Sequence, residues 1–165
     1  MLQWRDELKN LEALKADEIG KAFEAAAPGW RPNAEEVGRW LRKFPFDIIL
    51  DAIEISKDQL RRGADGKPDR DSVHRFQAYI PRVAGCRLQE RKEPGLEELL
   101  RLRGYLRTFM RFEDWECLAL LRQARSVGLT VEDMKRMSWS HRKWWDFSIE
   151  LSAAIAVAKR PMESE

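Results

Sequence analysis

Residues 46–62 read Phe46-Asp-Ile-Ile-Leu-Asp-Ala-Ile-Glu-Ile-Ser-Lys-Asp-Gln-Leu-Arg-Arg62. Phe46, Ile49, Leu50, Ile53 and Leu60 recur at helical spacing and form one apolar stripe. Ile48, Ala52 and Ile55 fall nearly opposite. A helix that is apolar on two sides is buried on two sides, so this segment is expected at the centre of a helical domain. Asp47, Asp51, Glu54 and Asp58 occupy what remains of its surface as an acidic stripe.

Pro45 ends the preceding helix and suits the first turn of this one. That earlier helix opens at Asn33, with Glu36 three residues on as in a capping box, and carries Val37, Trp40, Leu41 and Phe44. Asp17 is placed to cap a helix through Ala27, which Pro28-Gly29 closes. Trp4, Leu8 and Leu11 suggest a separate amphipathic turn or two before it. After the loop 63–70, Asp71 or Ser72 is placed to cap a helix with Val73, Phe76, Ile80, Val83 and Ala84 inward, and Pro81 should kink it.

Pro94-Gly95 is the expected break. Beyond it, Leu96, Leu99, Leu100, Leu106 and Met110 make another stripe, within which Gly104 offers room for a neighbouring backbone. Asp114 is placed to cap a helix carrying Leu118, Leu121, Ala124 and Val127, which Gly128 ends. Thr130 opens a short helix. The last helix is expected from about Ser140 to Lys159, with Trp144, Phe147, Leu151, Ala154, Ile155 and Ala158 inward. Pro161 and the tail Met162-Glu-Ser-Glu165 are expected to fray. No strand alternation stands out. The expectation is an all-α fold of six to seven short helices, divided into residues 1–92 and 93–165 and hinged near Pro94-Gly95, either as two subdomains or as one domain.

The chain has 165 residues, 35% of them charged and 44% hydrophobic, a globular balance. No apolar run approaches the roughly 20 residues of a membrane helix, and Met1-Leu-Gln-Trp-Arg-Asp-Glu7 has no signal-peptide pattern. A cytoplasmic protein without membrane contact is expected. Two cysteines, Cys86 and Cys117, lie far apart and make no metal or redox motif, so a pair of buried or partly buried free thiols is expected.

Net charge is +2, yet twenty arginines stand against ten lysines, with seven tryptophans. Arginine's planar fork binds carboxylate or phosphate through two parallel hydrogen bonds and stacks on aromatic rings. Residues 93–165 carry twelve basic and twelve acidic groups, net zero, so any basic patch there must come from arrangement.

Arg103, Arg107 and Arg111 recur every four residues. One reading pairs them with the acidic stripe in an internal seam, because a buried guanidinium needs a partner. Another leaves them as a phosphate-tracking face. The stretch 134–145 interleaves Lys135, Arg136, Arg142 and Lys143 with Trp139, Trp144 and Trp145, a mixture that single-stranded nucleic acid binding uses. Trp144 follows the inner stripe, whereas Trp145 and Ile149 point elsewhere. Asp65, Asp69 and Asp71 lack the glycine and terminal glutamate of a calcium loop. His74 and His141 are isolated, and no nucleotide-binding or nucleophile motif is present. No catalytic residue, metal site or cofactor is expected.

The run Trp40-Leu-Arg-Lys-Phe-Pro-Phe-Asp-Ile-Ile-Leu-Asp-Ala-Ile-Glu-Ile-Ser56, then Ser72 and Ala78-Tyr-Ile-Pro-Arg82, is similar to the DnaD-like helical modules of phage and prophage replication-associated proteins. The likeness covers about residues 34–92. Arg103-Gly-Tyr-Leu-Arg107 resembles segments from the same genetic neighbourhood. A nucleoprotein context is what this resemblance implies. No winged-helix module is evident ahead of residue 34, so recognition of origin DNA is not implied.

The expected function is that of a non-enzymatic accessory protein of phage or mobile-element type. Arg107, Arg111, Lys135, Arg136, Arg142 and Lys143 would meet phosphate in nucleic acid or a nucleoprotein complex, with Trp139 or Trp145 stacking. The alternative is a protein-binding adaptor or inhibitor anchored by Trp145, Ile149 and arginines such as Arg103.

Overall fold

The structure, a computed structural model, describes residues 2–160, with side chains from Trp4 onward. It is all-α. Among the described residues there are eight α-helices, close to the six or seven expected. The expected fraying of Pro161 and 162–165 lies outside the described residues. The chain divides into two compact units, residues 1–92 and 93–165, each with its own core. No helix among the described residues is long and apolar enough to cross a membrane.

The first unit contains α1 (Leu2–Ala26), α2 (Ala34–Lys43), α3 (Phe46–Ser56) and α4 (Arg70–Lys92). α3 is central, packing on α1, α2 and α4. Ile48, Ile49, Ala52 and Ile53 are buried on it, so both apolar sides find neighbours. It is shorter than expected: after Ser56 the chain tightens into a single 3-10 turn, Lys57–Gln59, and extends at Leu60. Ile55 is left at the surface.

α1 corrects the sequence reading. Asp17 caps nothing; it lies in mid-helix and pairs with Lys21 at 2.9 Å and Arg31 at 3.7 Å. No proline or glycine interrupts residues 2–16, and their Leu, Ala, Lys and Glu content favours continuation. At 25 residues and 1.5 Å per residue the helix is about 37 Å long. Only its later part, with Ile19, Phe23 and Ala26, reaches the core.

Asn33 caps α2 as expected, accepting the Glu36 N–H at 2.7 Å. The Glu36 carboxylate does not close the box. It accepts from the Trp40 indole at 3.1 Å and pairs with Arg39 at 2.8 Å. The cap of α4 is Asp69, two residues before Asp71 and three before Ser72, the two expected caps, with its carboxylate accepting the Ser72 N–H at 2.8 Å. Ser72 itself is buried, and its single hydroxyl proton lies within reach of the Asp69 carbonyl at 2.9 Å and the Arg61 carbonyl at 3.2 Å. α4 continues as one helix through Pro81.

The second unit contains α5 (Leu96–Arg107), α6 (Asp114–Ser126), α7 (Val131–Ser138) and α8 (Trp144–Lys159). α5 packs on α6 and α7, and α8 packs on the same two. Leu99, Leu106, Cys117, Leu121, Met134, Phe147 and Leu151 are wholly buried between them. Gly104 meets no neighbour within 4 Å, so no backbone approaches where one was expected. The turn before α5 needs glycine instead. Gly95 has φ +85°, and a Cβ there would fall 2.6 Å from Arg125 Nη1. Arg125 and Arg122 are held by Glu93 at 3.2 and 2.7 Å. Arg122 first, and Arg125 beside it, hold the Glu93 carboxyl below its ordinary range.

Cys117 is buried as expected, and burial pushes its thiol up to about 12; Cys86, expected to be at least partly buried, is instead exposed. A thiol in that state has almost no nucleophilic thiolate at neutral pH. Native protein should therefore react with a colorimetric thiol reagent at one site, Cys86, and at a second only after unfolding. Two fast-reacting thiols in the native state would contradict this packing.

Candidate nucleic-acid interface

α5 ends at Arg107, and this breaks the arginine stripe. Thr108 donates its hydroxyl back to the Tyr105 carbonyl at 2.7 Å, and Met110 folds into the core. Arg111 thus lies on the extended segment before α6 rather than on the same helical face as Arg103 and Arg107.

The two helical arginines are taken up locally. Arg107 pairs with Asp114 and sits 5.8 Å from the Phe112 ring centre. Half-buried Arg103 brings its Nε to 4.0 Å from the same carboxylate. Asp114, expected as a cap, serves as their counter-ion, and the N-cap position of α6 falls to Glu113 without a side-chain cap bond. Carboxylates of the acidic stripe likewise find partners within their own unit. Asp47 of that stripe binds Arg91, which holds the Asp47 carboxyl below its ordinary value, and Glu54 binds Lys57. Arg107 and Arg103 drop out of the set of free cations.

The last helix begins at Trp144, four residues later than expected. Ser138 turns its hydroxyl to the Lys135 carbonyl at 2.6 Å, which helps end α7. His141, in the link that follows, is held by Glu150. Arg142 and Lys143 consequently sit on the non-helical approach to α8, with Lys143 at the N-cap. No side chain caps this helix, so its leading N–H groups keep their donor capacity. Such an end favours anions through both those donors and the helix dipole.

These features meet in a cleft of about 530 Å³ lined by Phe109, Arg111, Arg142, Lys143, Trp144 and Trp145. No carboxylate lines it. Arg111, Arg142 and Lys143 are exposed, and among the described residues none of them has an ion-pair partner. Trp144 is buried as expected and packs against Phe112 and Phe147, with ring centres 5.0 and 5.8 Å away. Trp145 turns outward and is 71% exposed; Ile149 is exposed as well. Asp146, also in the first turn of α8, is exposed and does not line the cleft.

The remaining candidates lie elsewhere. Lys135 stands over the Tyr105 ring at 5.1 Å in a second cleft of about 460 Å³. Glu98 and Glu132 line that cleft too, which makes it a poor host for phosphate. Arg136 and Trp139 are exposed on or just after α7 but line neither cleft. A third cleft, of about 250 Å³, involves Trp115, Leu120, Trp144, Ser148 and Ser152. Trp115 is 73% exposed and was missed from the sequence. Helical phase held the signal: Cys117, Leu121 and Ala124 define the buried face of α6, and Trp115 falls about 200° away from Cys117. No group of three or more His, Cys, Asp or Glu side chains among the described residues is placed to hold a metal ion.

Comparison with protein-family models, with curated proteins and with solved structures finds no match to this chain. The residues themselves therefore carry the functional argument.

Proposed function

We propose that the second unit binds nucleic acid, with backbone phosphate seated at Arg111, Arg142, Lys143 and the uncapped start of α8, and a base stacked on Trp145. In this reading the protein is a non-enzymatic accessory factor of a nucleoprotein complex, of phage or mobile-element type. One observation carries it: three unpaired cations and an exposed indole share a cleft that contains no carboxylate. Cations left free at a helix N-terminus complement an anion, and phosphate is the anion that comes with a ring to stack. A stacked base contributes about 1–3 kcal/mol, enough to favour single strands over duplex, whose bases are already stacked.

Fluorescence anisotropy of a labelled single-stranded oligonucleotide, with a duplex as competitor, tests this. Trp145→Ala should weaken single-strand binding by about tenfold, consistent with the loss of one stacked base. No measurable binding to either form would reject the proposal. The exposed Trp115, Trp145 and Ile149 favour a second reading, a protein-binding adaptor that touches no nucleic acid. A partner captured from nuclease-treated lysate, together with failure of the oligonucleotide titration, would favour it.

A further inference from the structure

α1 carries an apolar stripe that is left exposed among the described residues. Trp4 is 71% exposed and Leu14 64%, and Leu8 and Leu11 are about half exposed. The spacing from Trp4 to Leu8 to Leu11 is four then three, which is the seam of a two-helix coil rather than scattered surface residues. The later part of the same helix buries Ile19, Phe23 and Ala26 against the first unit, while the earlier part lies exposed from Trp4 to Leu14.

We propose that the first half of α1 pairs antiparallel with the same segment of a second copy of this chain, about a two-fold axis. The charges beside the seam select this occupant. Arg5, Lys9 and Lys15 balance Asp6, Glu7 and Glu12, three against three, so the segment suits neither an anionic membrane nor a strongly charged partner. Arg5 and Glu12 lie along one edge of the stripe; Glu7 and Leu14 lie along the other. In an antiparallel pair each edge meets its own copy. With Leu8 opposite the partner's Leu11, Arg5 comes opposite the partner's Glu12 and Glu7 opposite the partner's Leu14. Lys15 comes opposite the partner's Trp4, where an ammonium can sit on the indole face. A parallel pair would instead set Glu7 against Glu12, two like charges.

Sedimentation equilibrium of the full chain over a wide concentration range, with circular dichroism to verify folding, tests the proposal. The wild type should show a concentration-dependent monomer–dimer equilibrium, and the Leu8→Glu/Leu11→Glu variant should be monomeric with unchanged helicity. Arg5→Glu alone should weaken the dimer about 3- to 10-fold, since two exposed ion pairs are lost per dimer, and Arg5→Glu/Glu12→Arg should restore it. A wild type that stays monomeric throughout overturns the proposal. So does a Leu8→Glu/Leu11→Glu variant that still dimerises, or a double charge swap that fails to recover. Flotation with neutral or anionic lipid vesicles by a protein that remains monomeric would assign the stripe to a membrane surface and overturn it as well.

Discussion

Reversing two charges, in Arg111→Glu/Arg142→Glu, should reduce affinity for a single-stranded oligonucleotide by about 30-fold or more near 0.1 M salt. Each arginine is exposed, so the substitutions remove no core contact. Both line the cleft at the start of α8. A charge-assisted hydrogen bond contributes about 1.5–3 kcal/mol when desolvated, and screening at an open cleft lowers that to roughly 1 kcal/mol per contact. Two contacts at that value correspond to about 30-fold, and repulsion from the new carboxylates adds to it. The same reversal at Arg103 and Arg107 should cost less binding and more stability, because those arginines already serve Asp114. A cleft variant that binds as tightly as wild type would remove Arg111 and Arg142 from the interface.

The second large effect concerns the support beneath that cleft. Phe147→Ala should destabilise the protein by about 3–5 kcal/mol, the usual range for deleting a buried aromatic ring. Phe147 has no exposed surface. Its ring lies 5.8 Å from that of Trp144 and 6.4 Å from that of His141. Leu121, Leu151 and Met134 belong to the same core. Losing the ring leaves a cavity under the first turn of α8, the turn that presents the leading N–H groups to the cleft. Urea denaturation checks this through a lower midpoint at an unchanged slope. A loss below about 1 kcal/mol would mean that the site collapses around the smaller side chain and that the α8 packing described above is wrong.

Much of this architecture could be read from the chain. Periodic apolar residues placed α3 at a centre, because Ile48 and Ile53 lie on different sides of one short helix and both need cover. Thr130 opens α7 as expected, and with Asp133 it closes a capping box through two bonds of 3.1 Å. Gly128, at φ +93°, ends α6 as glycine commonly does. Two of the misreadings fell where a side chain had competing partners. Asp17 and Asp114 have the chemistry of caps, but nearby Lys21 and Arg107 offered charge, and periodicity cannot rank those options.

The candidate site was legible as a composition and not as a shape. Arg111, Arg142, Lys143 and Trp145 were all singled out, yet equal spacing placed Arg111 on a stripe with Arg103 and Arg107. The end of α5 at Arg107, reinforced by the Thr108 hydroxyl and the burial of Met110, moves Arg111 off that face. The late start of α8 likewise turns Arg142 and Lys143 from surface residues of a helix into flanks of its N-terminus. Both shifts depend on tertiary packing, which a linear pattern does not encode.

The most direct test of phosphate binding at the α8 cleft is the salt dependence of single-stranded oligonucleotide affinity, compared between wild type and Arg142→Gln/Lys143→Gln. Three phosphate contacts at about 0.7 counterions each predict a log–log slope near −2 for the wild type, and loss of two contacts predicts about −0.7 for the variant. A wild-type slope near zero, or a steep slope that the double substitution leaves unchanged, would contradict the account.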